Sequence, residues 1–184
     1  NKVSDLPLTT RANLANDYWI KNNKCKAIFI SLHANSFSNA SARGTETYTA
    51  NNASSTSKNF AKVLNDNIVK TMKSLDVNAK DRGVKSKKLT VIYKASMPSV
   101  LVEYAFYSNL DDLKILKNNR SELVEATVKA ICQFFGIEYK KEITTNTNKL
   151  YKVCIGAYKD RDNADKILKE AKEKGFKDAY IICQ

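Results

Sequence analysis

The strongest constraint on the fold is the apolar run Ala27-Ile28-Phe29-Ile30-Ser31-Leu32, which ends directly on His33. A short continuous run of this kind suits a strand buried on both faces of a sheet. A second run, Val100-Leu101-Val102, continues into Glu103-Tyr104-Ala105-Phe106. Residues 99–106 therefore read as another strand, separated by a turn at Met97-Pro98 from a third at 89–93. Thr45-Glu46-Thr47-Tyr48-Thr49 alternates in the manner of a strand with one solvated face.

Helical spacing fills the intervals. Residues 8–22 pair Leu14 with Tyr18 and Ala15 with Trp19, and Thr9 or Thr10 is placed to cap them. Residues 57–75 set Phe60, Leu64, Ile68 and Met72 on one stripe. Two more helices are expected at 111–117 and 121–135, the second stopping at Gly136. Strands alternating with helices predict an α/β layered domain, a central twisted mixed sheet flanked by helices.

Past that domain the sequence changes character. Lys140 to Lys149 (KKEITTNTNK) is polar, without apolar periodicity, and reads as a linker. A strand at 150–158, a helix at 160–174 with Ala164, Ile167, Leu168 and Ala171 on one face, and a strand at 179–183 then form a small β-α-β unit, with Gly175 at the end of the helix. A chain of 184 residues accommodates one sizeable core plus such an appendage. Asn1 is not an initiator methionine, so a preceding segment is expected.

The formal net charge of +12 is spread mainly over single lysines. It suits a solvated surface or attraction to a polyanion, but no basic stripe interleaved with aromatics singles out nucleic acid. No apolar run is long enough to span a bilayer. Cys25, Cys132, Cys154 and Cys183 show no paired spacing. They are expected to be reduced thiols of a protein made in the cytoplasm, with Cys132 in the core.

Two residues carry the candidate chemistry. His33, the single histidine, falls at the carboxyl end of a strand, where ligands and metals collect in sheet-based enzymes. A hydrogen-bonded structural histidine is the alternative. Glu103 lies in a strand whose neighbours demand burial, and a buried carboxylate costs several kcal/mol unless a cation or donor offsets it. Such a group serves as a metal ligand or general base, or else faces solvent at a strand end.

Five ordered segments resemble the type 3 zinc-dependent N-acetylmuramoyl-L-alanine amidases of endolysins and autolysins. They are Leu8-Thr9-Thr10-Arg11-Ala12-Asn13-Leu14-Ala15-Asn16, Phe29-Ile30-Ser31-Leu32-His33-Ala34-Asn35, Arg43-Gly44-Thr45-Glu46-Thr47-Tyr48, Arg82-Gly83-Val84-Lys85 and Met97-Pro98-Ser99 through Asn109. The resemblance covers about residues 5–136 and implies hydrolysis of the amide joining N-acetylmuramic acid to L-alanine in peptidoglycan. It implies that His33 ligates zinc and that Glu103 carries the proton from the zinc-bound water to the leaving amine. Glu46 has a family match as well and reads as a strand or substrate-groove residue.

A catalytic zinc takes three protein ligands and keeps one position open. The family draws a histidine and a glutamate from a segment that precedes the match to Asn1, and nothing here replaces them. The expected cofactor is therefore Zn2+ with further ligands from a missing upstream segment, and this chain alone is expected to be inactive. The C-terminal unit resembles the first half of a SPOR module, which binds glycan strands, through Tyr151-Lys152-Val153-Cys154-Ile155-Gly156-Ala157-Tyr158, Asn163-Ala164 and Lys174-Gly175-Phe176.

The expected organisation is thus an amidase domain at 1–139 lacking its first strand and helix, a linker at 140–149 and half a SPOR-like module at 150–184. The expected partners are peptidoglycan and anionic wall polymers at the bacterial cell wall, with no specific nucleic acid. Self-association through the incomplete sheet is expected too. A non-catalytic wall-binding protein is the competing reading.

Overall fold

The computed structural model describes residues 5–141 and 156–181. The chain divides into two compact units, Asn1–Lys141 and Glu142–Gln184. In the first unit the order is α1 (Leu8–Lys21), β1 (Phe29–Asn35), β2 (Thr45–Thr49), α2 (Ser55–Leu75), β3 (Asp81–Ser86), α3 (Thr90–Tyr93), β4 (Ser99–Phe106), α4 (Leu110–Asn118) and α5 (Arg120–Phe135). The four strands form one sheet in the order β1-β4-β2-β3. β1 runs parallel to β4, β4 antiparallel to β2, and β2 parallel to β3. This is the mixed α/β sheet that the alternating pattern predicts.

The core lies between the sheet and the helices α2 and α5. Phe60, Leu64, Ile68 and Met72 of α2 are buried against Val100 and Val102 of β4 and against Leu123, Ala126 and Ala130 of α5. Fully burying one such side chain contributes about 1.5–3 kcal/mol, so this stripe is the main driving force of the unit. Ser54 caps α2 by accepting from the Ser57 amide, and Gly136 ends α5 in the left-handed region at φ 70°.

One buried ion cluster ties the ends of these layers together. Asp112, fully buried at the start of α4, accepts from the Gly44 amide at 2.8 Å and the Phe106 amide at 2.9 Å. Arg43 donates to the same carboxylate at 3.1–3.2 Å and also pairs with Asp76 and Asp111. The loop before β2 is thereby fixed to the end of β4. Gly44 sits at φ 108°, and a Cβ there would press into the backbone carbonyl of Lys80, so the Arg43-Gly44 pair has a backbone as well as a charge requirement.

Three expectations are corrected, and one strand stands where none is expected. β1 is an edge strand rather than one buried on both faces: it pairs only with β4 among the described residues, and Leu32 is 57% exposed. Residues 89–93 do not form a strand. Thr90–Tyr93 close a single helical turn, with Val91 and Ile92 buried beside Ala50 and Leu101. Asp81–Ser86 is a strand that residue preferences do not announce. α1 begins after Pro7 with no side-chain cap from Thr9 or Thr10, and Leu14 and Tyr18 are exposed.

The second unit contains α6 (Arg161–Glu173), capped by the Asp160 side chain on the Asp162 amide. Ala164, Ile167, Leu168 and Ala171 form its less exposed face. Residues 156–158 and 179–181 are not strands. The remainder of the expected strands at 150–158 and 179–183, most of the linker, Cys154 and Cys183 lie outside the described residues. Cys25 and Cys132 are free thiols, Cys25 exposed and Cys132 only partly buried.

Candidate functional site

Strand register brings the candidate residues into one row. His33 of β1 pairs with Glu103 of β4, and Glu103 pairs on its other side with Glu46 of β2. Directly paired residues on neighbouring strands project from the same face, so an imidazole and two carboxylates line up across three strands. Val100 and Val102 project to the opposite side, into the helix-covered core. The alternation of β4 thus separates packing from chemistry.

The two carboxylates occupy opposite electrostatic environments. Glu46 is 2% exposed yet thoroughly partnered. Asn35 and the Tyr48 hydroxyl donate to its Oε1 at 2.7 and 2.8 Å, and Arg82 Nε donates to Oε2 at 2.7 Å, with Lys85 on the same oxygen. Burial opposes its charge, but the donors of Lys85, Arg82 and Tyr48 outweigh that and hold its pKa down to about 2. Glu103 has no such support. Its Oε2 is buried without a partner among the described residues, and burial followed by the Glu46 charge pushes its pKa up to about 7. A carboxyl poised there can both take and return a proton at neutral pH.

His33 is partly buried, and its Nε2 lies 2.6 Å from Ser31 Oγ. Burial and the nearby positive charge of Arg11 lower its pKa, which favours the neutral imidazole that a metal requires. Among the described residues, however, no group of three His, Cys, Asp or Glu side chains is arranged to hold a metal ion. A catalytic zinc requires three protein ligands, so these residues do not by themselves fit that ion.

Residue preferences do not foresee the Glu46 cluster, and a β-bulge builds it. Thr45 pairs with Asp81 and Thr47 with Val84, so Arg82 and Gly83 together oppose Glu46. Arg82 and Lys85 are an odd number of positions apart and would project to opposite faces of a regular strand. The extra residue, with Gly83 at φ 76°, brings both onto Glu46. The available signal is the glycine between basic residues in Arg82-Gly83-Val84-Lys85, since an isolated strand glycine marks a bulge.

The two shifted carboxyls give the metal-free chain a distinctive pH response. Glu103 is raised from 4.5, so its contribution is fully present below about pH 4.5 and is lost as pH rises through about 7. Glu46 is lowered from 4.5, so its contribution is present above about pH 4.5 and is lost as pH falls through about 2. Urea unfolding is therefore expected to show a Glu103-dependent decline in stability between about pH 5 and 7. It is set against the opposite slope of His33, whose lowered pKa makes stability rise with pH up to about 6.5. In Glu103→Gln the decline is expected to flatten. Equal slopes in both proteins would refute the proton held on Glu103.

This mixed sheet flanked by helices matches the fold of solved amidase catalytic domains. The solved catalytic domain of CwlV, the N-acetylmuramoyl-L-alanine amidase of Bacillus (Paenibacillus) polymyxa var. colistinus, matches with TM-score 0.60 and 27% identity over 73% of this chain and 69% of that one. An N-acetylmuramoyl-L-alanine amidase structure from Clostridium difficile 630 matches with TM-score 0.61 and 27% identity over 72% of this chain and 67% of that one. A family model described as N-acetylmuramoyl-L-alanine amidase matches residues 1–133, and the chain belongs to that family.

The N-acetylmuramoyl-L-alanine amidase CwlM of Bacillus licheniformis is 28% identical over 99% of this chain and 65% of its own length. The sporulation-specific N-acetylmuramoyl-L-alanine amidase of Bacillus subtilis (strain 168) is 26% identical over 99% of this chain and 66% of its own length. The chain thus spans about two thirds of these relatives. A SPOR domain model matches residues 105–182. Its first part runs from the end of β4 through α4 and α5 to Lys141, within the first compact unit, and the rest falls in the second.

Proposed function

We propose that this chain is part of a peptidoglycan hydrolase that cleaves the amide between N-acetylmuramic acid and L-alanine. The observation that carries the reading is the row His33–Glu103–Glu46, in which a neutral imidazole borders an unpartnered carboxyl with a pKa of about 7. Family membership supplies the substrate class.

Glu103 is the proposed proton carrier. It takes a proton from the attacking water and delivers it to the leaving amine of L-alanine, a shuttle that suits its near-neutral pKa. Glu46, fixed by Arg82 and Lys85, keeps its charge and so favours the protonated form of Glu103. His33 is the proposed ligand of a zinc ion whose other protein ligands lie outside the described residues. That ion, when bound, supplies a polarising charge and an acidified water.

The proposed organisation keeps the amidase domain at 1–139, the linker at 140–149 and a SPOR-like glycan-binding half module at 150–184. The site of action is the bacterial cell wall. Among the described residues no helix is long and apolar enough to cross a membrane. The exposed Leu32 on edge strand β1 favours self-association of the sheet.

Sedimentation with purified walls tests the reading. The chain, with its net charge of +12, is expected to co-sediment at low salt. Retention is expected to fall steeply above about 0.1 M salt, where exposed charges more than about 10 Å apart are screened. Failure to bind walls at low salt would contradict the proposed substrate. Retention unchanged by salt would exclude the lysines as the means of attachment.

A further inference from the structure

The cluster beside Glu103 carries more positive charge than it neutralises. Arg82 and Lys85 share a single carboxylate oxygen, Glu46 Oε2, and both side chains remain more than a third exposed. Glu46 keeps its charge through these contacts, so the three groups retain one net positive charge (+1 +1 −1) on the Glu103 face. Asn35 and Tyr48 bring no charge of their own, and Glu103, with a pKa of about 7, offsets it only in part at neutral pH.

The geometry of Arg82 is more informative than its charge. Its Nε donates to Glu46 at 2.7 Å, and its guanidinium carbon lies 4.9 Å from the centre of the Phe106 ring. A hydrogen bond and a cation–π contact hold the guanidinium in place, while Nη1 and Nη2 have no partner among the described residues. The bulge at Gly83 aims this group toward Glu46 rather than away from it. A held guanidinium with its terminal edge open is a bidentate receptor for a planar carboxylate, since both donors lie in one plane at fitting spacing.

We propose that the open edge of Arg82 binds a carboxylate of the acidic stem peptide next to the cleaved amide. The site then distinguishes stems whose carboxylate is free from those in which it is a carboxamide. This inference rests on the peptidoglycan reading and deepens it. Lys85 contributes charge but no fork, because an ammonium is a point charge without two coplanar donors.

The test is a binding titration of the full chain with two muropeptides, N-acetylmuramyl-L-alanyl-D-glutamate and the corresponding D-isoglutamine compound. The unsubstituted chain is expected to bind the free carboxylate about tenfold more tightly, the scale of a hydrogen bond to a charged group. Arg82→Gln is expected to erase that preference, so that the two compounds bind equally whatever the change in overall affinity. Arg82→Lys keeps the positive charge beside Glu46 but lacks the fork, and it is expected to lose most of the preference without loss of folding.

Equal binding of the two muropeptides by the unsubstituted chain, or a preference that survives in folded Arg82→Lys, would overturn the inference and leave the amidase reading standing. Glycerol phosphate bound in an Arg82-dependent manner, with no difference between the muropeptides, would assign the fork to anionic wall polymers and would also overturn it. Binding of neither muropeptide, together with no retention on purified walls, would overturn the peptidoglycan reading itself.

Discussion

Replacing Glu103 with glutamine is expected to slow amide cleavage about 10²–10⁴-fold in a chain extended to supply the remaining metal ligands, the usual cost of losing general acid–base help. Glutamine keeps the size and polarity of the side chain but cannot carry the proton. Because Glu103 Oε2 has no donor among the described residues, the substitution breaks no existing hydrogen bond of that oxygen. Folding and zinc content are therefore expected to stay near those of the parent. The check is release of new L-alanine amino termini from purified peptidoglycan, measured beside metal analysis. A variant that keeps most of its rate would remove Glu103 from the mechanism.

The second large effect concerns stability. Asp112→Ala would leave the Gly44 and Phe106 amides without their acceptor and remove the buried counter-charge of Arg43. Breaking such a buried pair costs about 3–5 kcal/mol, on the order of 10 °C in melting midpoint for a chain of this size. Arg43 retains Asp76 and Asp111, which places the expected loss toward the lower end of that range. Thermal unfolding followed by circular dichroism measures it. A midpoint within about 2 °C of the parent would show that the cluster is not the clamp between the loop before β2 and the end of β4.

How much of this was legible in the sequence depends on the kind of interaction involved. The stripe Phe60, Leu64, Ile68 and Met72 is local, so its periodicity announces α2 and its buried face directly. The position of β1 is different. An apolar run indicates burial, but whether a strand has one neighbour or two is settled by pairing, and Leu32 ends exposed at an edge. Leu89-Thr90-Val91-Ile92-Tyr93 is rich in strand-favouring residues, yet packing against Ala50 and Leu101 holds its core as one helical turn. Conversely, Asp81-Arg82-Gly83-Val84-Lys85-Ser86 is poor in such residues and becomes a strand because β2 offers it an edge.

The candidate site divides in the same way. His33 and Glu103 stand out because each is a polar residue in or after an apolar run. Glu46 does not, because alternation alone makes it one polar residue among threonines. Its place beside Glu103 follows from antiparallel register, and its partners Arg82 and Lys85 reach it through a bulge. Both are products of tertiary pairing.

The most direct test of the central claim is metal content after gel filtration in the presence of zinc, together with release of L-alanine amino termini from purified walls by this chain alone. With His33 as the proposed ligand and no group of three metal-binding side chains among the described residues, zinc is expected well below one ion per chain, with no release. Stoichiometric zinc with turnover from the verified 184-residue chain would show that other residues complete the site, and the ligand assignment would fail.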